Sequence, residues 1–199
     1  MKEPKMKEFC IYHLKNLDKN REKIKSKLEL GHPIHTLMSE HEIILSFLDK
    51  IKKINSKIQK MKSYRKDKSF EILKNTAEHL IEAESHHERE EKVLFPELEK
   101  RGIFGPPEVM KEEHRILRKA KKELSGLAKM PIKNFSQFKE RLKELENLIT
   151  PTLKDHIAKE DNILYPMSLQ VIKNEKEWAM IKKKCDKIGY CCFTPNKKC

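Results

Sequence analysis

His86-His87-Glu88-Arg89-Glu90-Glu91-Lys92-Val93-Leu94-Phe95-Pro96 and His156-Ile157-Ala158-Lys159-Glu160-Asp161-Asn162-Ile163-Leu164-Tyr165-Pro166 are two copies of one phrase. In each, a histidine is followed four residues on by a glutamate, then by a second acid, and further on by an aliphatic pair, an aromatic and a proline. Residues four apart on an α-helix stand one above the other on the same face, so each copy offers an imidazole and a carboxylate to one point in space. Such a pair can hold a metal. A lone copy would read as a solvated surface pair, but two copies with matching flanks make a duplicated constellation.

The repeat reaches outward from the phrase. Glu40-His41 precedes the first copy by 45 residues and Glu113-His114 precedes the second by 42, so each half supplies helix, turn, helix with the same ligand set. Apolar residues spaced by three and four surround these positions. Ile34, Leu37, Ile44, Leu48 and Ile51 flank His41; Leu73, Leu80, Ala83 and Leu94 flank His86 and Glu90. Met110, Leu117 and Leu124 flank His114; Leu142, Ile149, Leu153 and Ile163 flank His156 and Glu160. A histidine or glutamate therefore stands where each helix should carry a core leucine. Four antiparallel helices built from two such halves bring His41, His86, His114, His156, Glu90 and Glu160 together at mid-height.

Burying Glu90 and Glu160 unpaired would cost several kcal/mol each, because an ionised carboxylate gives up its hydration for little in return. Two dications removed from water by shared carboxylates offset that cost. Nitrogen and oxygen donors without thiolate suit iron, manganese or zinc. Two histidines and two shared carboxylates per ion leave at least one coordination position for water or a small ligand, which points to chemistry or sensing more than to structural support. His35, six residues before His41, is turned away from the same face but is a candidate for an additional ligand or an outer contact. His79 reads as packing or an outer contact to the site, and His87 as outer surface or outer contact.

With 199 residues, 37% hydrophobic and 38% charged, and only five glycines, the chain fits one substantial all-α core. The expected organisation is a helical extension over 1–30, an antiparallel four-helix bundle over 32–168, and a C-terminal helix and cysteine-bearing tail over 169–199. Gly31 should end a first helix over 7–30, Pro96 should kink the second bundle helix without ending it, and Pro151 should bend the fourth. A last segment over 167–188 should pack across the bundle.

The net charge of +13, from 44 Lys and Arg against 31 Asp and Glu, opens a reading as a nucleic-acid or partner-binding helical module. The densest basic run, 52–68, carries Tyr64 as its one aromatic, so a solvated lysine-rich surface is the plainer account. No apolar stretch is long enough to span a membrane and the charged start does not read as a secretory leader, which implies a cytoplasmic chain. Five cysteines, four of them (Cys185, Cys191, Cys192, Cys199) in the last fifteen residues, argue for reduced thiols over a disulfide scaffold. They could also bind a second cofactor or relay electrons.

The ordered set His41, His86-xxx-Glu90, His114, His156-xxx-Glu160 resembles the hemerythrin-like family of HHE cation-binding domains over roughly residues 32–168. The resemblance implies a four-helix bundle holding a non-haem di-iron centre that meets dioxygen, nitric oxide or peroxide, with a protein redox partner if the centre turns over. Arg118 stands where the oxygen-carrying members have a second histidine one turn on. Fewer histidines imply more exposed irons and favour sensing or turnover over reversible carriage. Asp161 fits the spacing of those members' aspartate ligand, whereas symmetry with Glu90 favours Glu160. The pattern is also similar to bacterial di-iron proteins that repair iron–sulfur centres, which leaves an iron donor or store as an alternative.

Overall fold

The computed structural model describes residues 21–195. Pro33 fixes the first turn of α1 (Pro33–Gln59), and the His32 imidazole accepts the Ile34 N–H to cap it. Asp67 accepts the Ser69 N–H and starts α2 (Lys68–Glu82). The same rod continues through α3 (Glu84–Arg89), a π-helical turn (Glu90–Leu94) and α4 (Phe95–Glu99). Gly102, at a φ of 79°, then reverses the chain into α5 (Gly105–Lys129). Asn134 caps α6 (Phe135–Lys159), which leads into a second π turn (Glu160–Leu164) and α7 (Tyr165–Val171). Finally α8 (Glu175–Ile188) starts at an Asn174 cap.

α1 packs on α2, α2 on α5, α5 on α6, and α6 back on α1. Chain neighbours joined by short loops are spatial neighbours, so the expected antiparallel four-helix bundle is the fold, and among the described residues there is no strand. α8 lies against α1, α3 and the first π turn. The apolar core falls into two clusters. One gathers Leu48, Ile51, Leu73, Leu80, Leu117, Leu124, Leu142 and Ile149; the other gathers Ile34, Met38, Leu94, Phe95, Met110, Leu164 and Tyr165 with Trp178 of α8. His41, His86, Glu90, His114 and Glu160 lie between the two clusters in sequence on their own helices, and His156 sits at the edge of the first, beside Ile157. A polar layer is thus sealed above and below by hydrocarbon.

Both π turns are placed by the same chemistry. Pro96 and Pro166 lack an N–H, and in an α-helix their rings would press on the carbonyls of Lys92 and Asn162. The backbone widens instead, so that the Phe95 N–H bonds the Glu90 carbonyl and the Tyr165 N–H bonds the Glu160 carbonyl, five residues back in each case. The extra residue in the turn corrects one expectation. Ile163, assigned to the inner stripe, is 52% exposed, whereas Leu164 takes its place at 1%.

Other expectations shift at the ends. Residues 165–171 continue the fourth helix, and the element expected over 167–188 starts anew at Glu175, because Asn174 breaks the run and caps the next helix. α6 runs unbroken through the exposed Pro151. Of the helix expected over 7–30, residues 21–25 are helical, and the stretch before residue 21 lies outside the described residues, as does Cys199.

Candidate metal centre

His41 of α1, His86 of α3, His114 of α5 and His156 of α6 turn their Nε2 atoms to the bundle axis, together with Glu90 and Glu160 of the π turns. None of the six is more than 1% exposed. Two groupings bring their donor atoms within 4.8 Å of one another: His41, His86 and Glu160, and Glu90, His114, His156 and Glu160. Glu160 belongs to both. Its Oε2 lies 3.2 Å from His41 Nε2 and its Oε1 2.9 Å from His156 Nε2. Glu90 Oε2 is 3.6 Å from His86 Nε2 and 3.5 Å from His114 Nε2, so this carboxylate too stands between the two sides.

Behind every imidazole stands an acid. His41 Nδ1 bonds Asp161 at 2.8 Å, His86 Nδ1 bonds Glu40 at 2.7 Å, His114 Nδ1 bonds Glu91 at 2.7 Å and His156 Nδ1 bonds Glu113 at 2.8 Å. Each ring is thereby locked with Nε2 forward, the tautomer in which a histidine ligates through Nε2 and is steadied through Nδ1. The acids follow the repeat. Glu40 and Glu113, each next to its half's first histidine, hold that half's second histidine; Glu91 and Asp161, each next to a central glutamate, reach across to the other half. The wide π turn is what lets two successive acids, Glu160 and Asp161, both be buried. This settles their places: Glu160 faces the centre, and Asp161 stands behind His41.

The inward-facing atoms fit two cations. His41 and His86 bring their Nε2 atoms to 3.1 Å, and His114 and His156 bring theirs to 3.0 Å. With metal–nitrogen bonds of about 2.0–2.1 Å, two nitrogens at right angles around one ion lie about 3 Å apart. Glu90 Oε2 and both oxygens of Glu160 are buried with no hydrogen bond aimed at them, although ring nitrogens stand near. Such orphaned carboxylate oxygens mark a place for cations.

Without metal, protons take that place. Burial works against charge on His41, but Asp161 and Glu160 outweigh it and raise its pKa to about 10. His114 is likewise raised to about 9 against burial, by Glu160, Glu91 and Glu90. Burial lowers His86 to about 4. Each close nitrogen pair thus has a protonated member that donates to its neighbour. The glutamates split: burial and the neighbouring Glu160 push the Glu90 carboxyl well above the usual range, while the imidazoles of His156, His114 and His41 overcome burial and hold Glu160 well below it.

Three placements were not legible beforehand. Tyr165, buried and stacked on His41 at 5.6 Å between ring centres, donates its hydroxyl to Glu90 Oε1 at 2.8 Å; its counterpart Phe95 stacks on His114 at 6.0 Å. His87, read as outer surface or as an outer contact of the site, is buried at 3%, because α5 seats His114 on its ring at 3.9 Å. His35 is not part of the centre. Six residues turn a helix about 120° off the starting face, and the half-buried His35 ring lies beside Ser39. His79 stacks on Phe47 and pairs with Glu82 outside the bundle. The centre is also closed, which corrects the expectation of exposed ions. Arg118, instead of supplying a ligand, binds Glu84 and, at 2.8 Å, Glu91, and so braces the acid behind His114.

Cys185 and Cys191 are buried free thiols and Cys192 is exposed; among the described residues they form no disulfide, and none joins the six. No described helix is long and apolar enough to cross a membrane.

The fold and site define a helical bundle built to hold cations between facing His and Glu pairs. The family model for the hemerythrin HHE cation-binding domain matches residues 32–168, and the chain belongs to that family. Comparison with curated proteins gives no match.

Proposed function

We propose that the chain is a non-haem di-iron protein that binds or reduces a small oxidant: dioxygen, nitric oxide or peroxide. The observation that carries this reading is the pair of buried glutamates with unpaired oxygens, framed by two imidazole pairs whose outer nitrogens are all held by carboxylates. His41 and His86 would hold one ion, His114 and His156 the other, and Glu90 and Glu160 both. Bound iron would supply electrons and an open position for the oxidant. The protein does the rest. The two apolar clusters keep bulk water from the centre, and closure restricts it to molecules of a few atoms. The acids behind the histidines fix the ring orientation before any ligand arrives.

Among the described residues, Tyr165 holds the one phenolic proton hydrogen-bonded to a candidate ligand. Burial and the nearby Glu90, Glu160 and Asp161 push its pKa well above the usual value, so the hydroxyl stays protonated while it donates to Glu90. Its oxygen is also 3.4 Å from His41 Nε2 and 3.5 Å from His86 Nε2, placing it where a reduced oxidant would need a proton. Tyr165→Phe is expected to keep both metals and slow peroxide or dioxygen reduction about 10²-fold. An unchanged rate in stopped flow would remove the tyrosine from the reaction.

The reading is tested by elemental analysis of protein purified without air. About two irons per chain, followed by a spectral change on adding dioxygen or nitric oxide, is the expected result. Zinc at the same occupancy, from cells with ample iron, would end the redox reading and keep the site. Iron that passes intact to an apo acceptor, with no reaction toward oxidants, would make the chain a donor or store instead.

A further inference from the structure

Four imidazoles of the centre are pinned through Nδ1 by carboxylates; a fifth ring, equally deep, is not. His87 is 3% exposed, and its Nδ1 has no hydrogen-bond partner, the nearest acid oxygen being Glu84 Oε2 at 3.6 Å. One step along the helix from His86 turns its side chain about 100° round, away from the His41 side and toward α5. There its ring lies face to face with His114, 3.9 Å between centres and 14° between planes, and edge-on to His156 at 5.9 Å. One ring nitrogen each of His87, His114 and His156 lie within 4.8 Å of one another. A buried imidazole whose Nδ1 is unpartnered, and which has one nitrogen grouped with nitrogens of two candidate ligands, lacks a partner that the described residues do not supply.

We propose that His87 is an additional metal ligand, serving the ion held by His114 and His156, so that one ion has three histidines and the other has two. The inference rests on the two-ion reading above. The opposite side supports it by contrast. Next to His41 and His86 the comparable neighbour is the Tyr165 hydroxyl, already committed to Glu90, and among the described residues no third histidine groups with them. The two halves of the repeat therefore build unlike ion sites from like phrases: the first copy reads His-His, the second His-Ile, at positions 86–87 and 156–157.

The test compares wild type with His87→Phe, which keeps an aromatic ring against His114 but has no nitrogen. Both are loaded anaerobically with ferrous iron, and iron content, the Mössbauer spectrum and the rate of removal by a ferrous chelator are measured. Wild type is expected to hold two irons in two distinct environments. His87→Phe should lose one environment selectively, or release that iron at least tenfold faster, while the His41–His86 iron is unchanged. Two retained irons with unchanged spectra and chelator rates within twofold would overturn the proposal. Should His87→Phe fail to fold, His87→Ala with imidazole in the buffer serves: recovery of the second iron only with imidazole supports the ligand role, and full retention without it overturns that role. If wild type takes up no iron, the two-ion reading has failed first and the ligand proposal falls with it, an outcome visible before any variant is examined.

Discussion

Glu160→Ala is expected to empty both metal positions at once. The two oxygens of Glu160 face His41 on one side and His156 on the other, so no ion at either histidine pair is independent of it. Glu90→Ala should do the same, since Glu90 Oε2 stands between His86 and His114. By contrast, His41→Ala removes a ligand from one side and should leave about one iron per chain. In the metal-free protein the two glutamates part company. Glu90 is held protonated there, so Glu90→Gln replaces one neutral group by another and should change stability by less than about 1 kcal/mol. Glu160 is held ionised among protonated imidazoles, so Glu160→Gln strands buried positive charge and should cost about 3 kcal/mol. Iron content by elemental analysis and urea denaturation of the iron-free variants check both halves. One iron retained in either alanine variant would mean that the carboxylate concerned is not shared.

The bundle and the six inward side chains could be read from the chain because the signal is periodic and doubled. A histidine in place of a core leucine shows in a 3.6-residue stripe, and its recurrence in the second half excludes chance. What could not be read depends on the width of a turn. An α-helical reading puts Ile163 inward and leaves Asp161 as an alternative to Glu160 at the centre; the π turn before Pro166 exposes the first and carries the second to His41 Nδ1. The prolines were visible, but sequence alone does not say whether a helix answers a proline by kinking or by widening. His87 was hidden for another reason. Its burial depends on how closely α5 approaches α3, a packing distance that no single helix encodes. The acids behind the histidines did leave a trace: Glu40, Glu91, Glu113 and Asp161 each adjoin a central residue, in matching positions of both halves. Charge beside a buried candidate ligand is the clue to an outer hydrogen bond.

Arg89→Met is expected to cost about 3–5 kcal/mol and to lower the melting temperature by about 10 °C, although Arg89 touches no candidate ligand. Its guanidinium is 2% exposed and binds Glu40 at 2.6 and 2.7 Å; Glu40, fully buried, also holds His86 at 2.7 Å and accepts from Thr194 in the C-terminal tail. Removing the arginine leaves that carboxylate buried with its main counter-charge gone. Burial alone would raise the Glu40 pKa, but His86 and Arg89 outweigh it and hold it at about 2, against 4.5 in a free chain. A carboxyl lowered on folding contributes stability that is complete above the free value and is lost as pH falls from about 4.5 to about 2. The gap between wild type and Arg89→Met, measured by urea denaturation of iron-free protein, should therefore be widest near neutral pH and close through that window. A gap that stays constant down to pH 2 would show that the arginine acts by packing alone. With iron present, the same variant should also bind metal about 10- to 100-fold more weakly, because a Glu40 released from Arg89 no longer fixes the His86 ring. The thermal and metal effects then share one cause, which is why the tail that closes over Glu40 belongs to the centre's architecture despite supplying none of its six inward side chains.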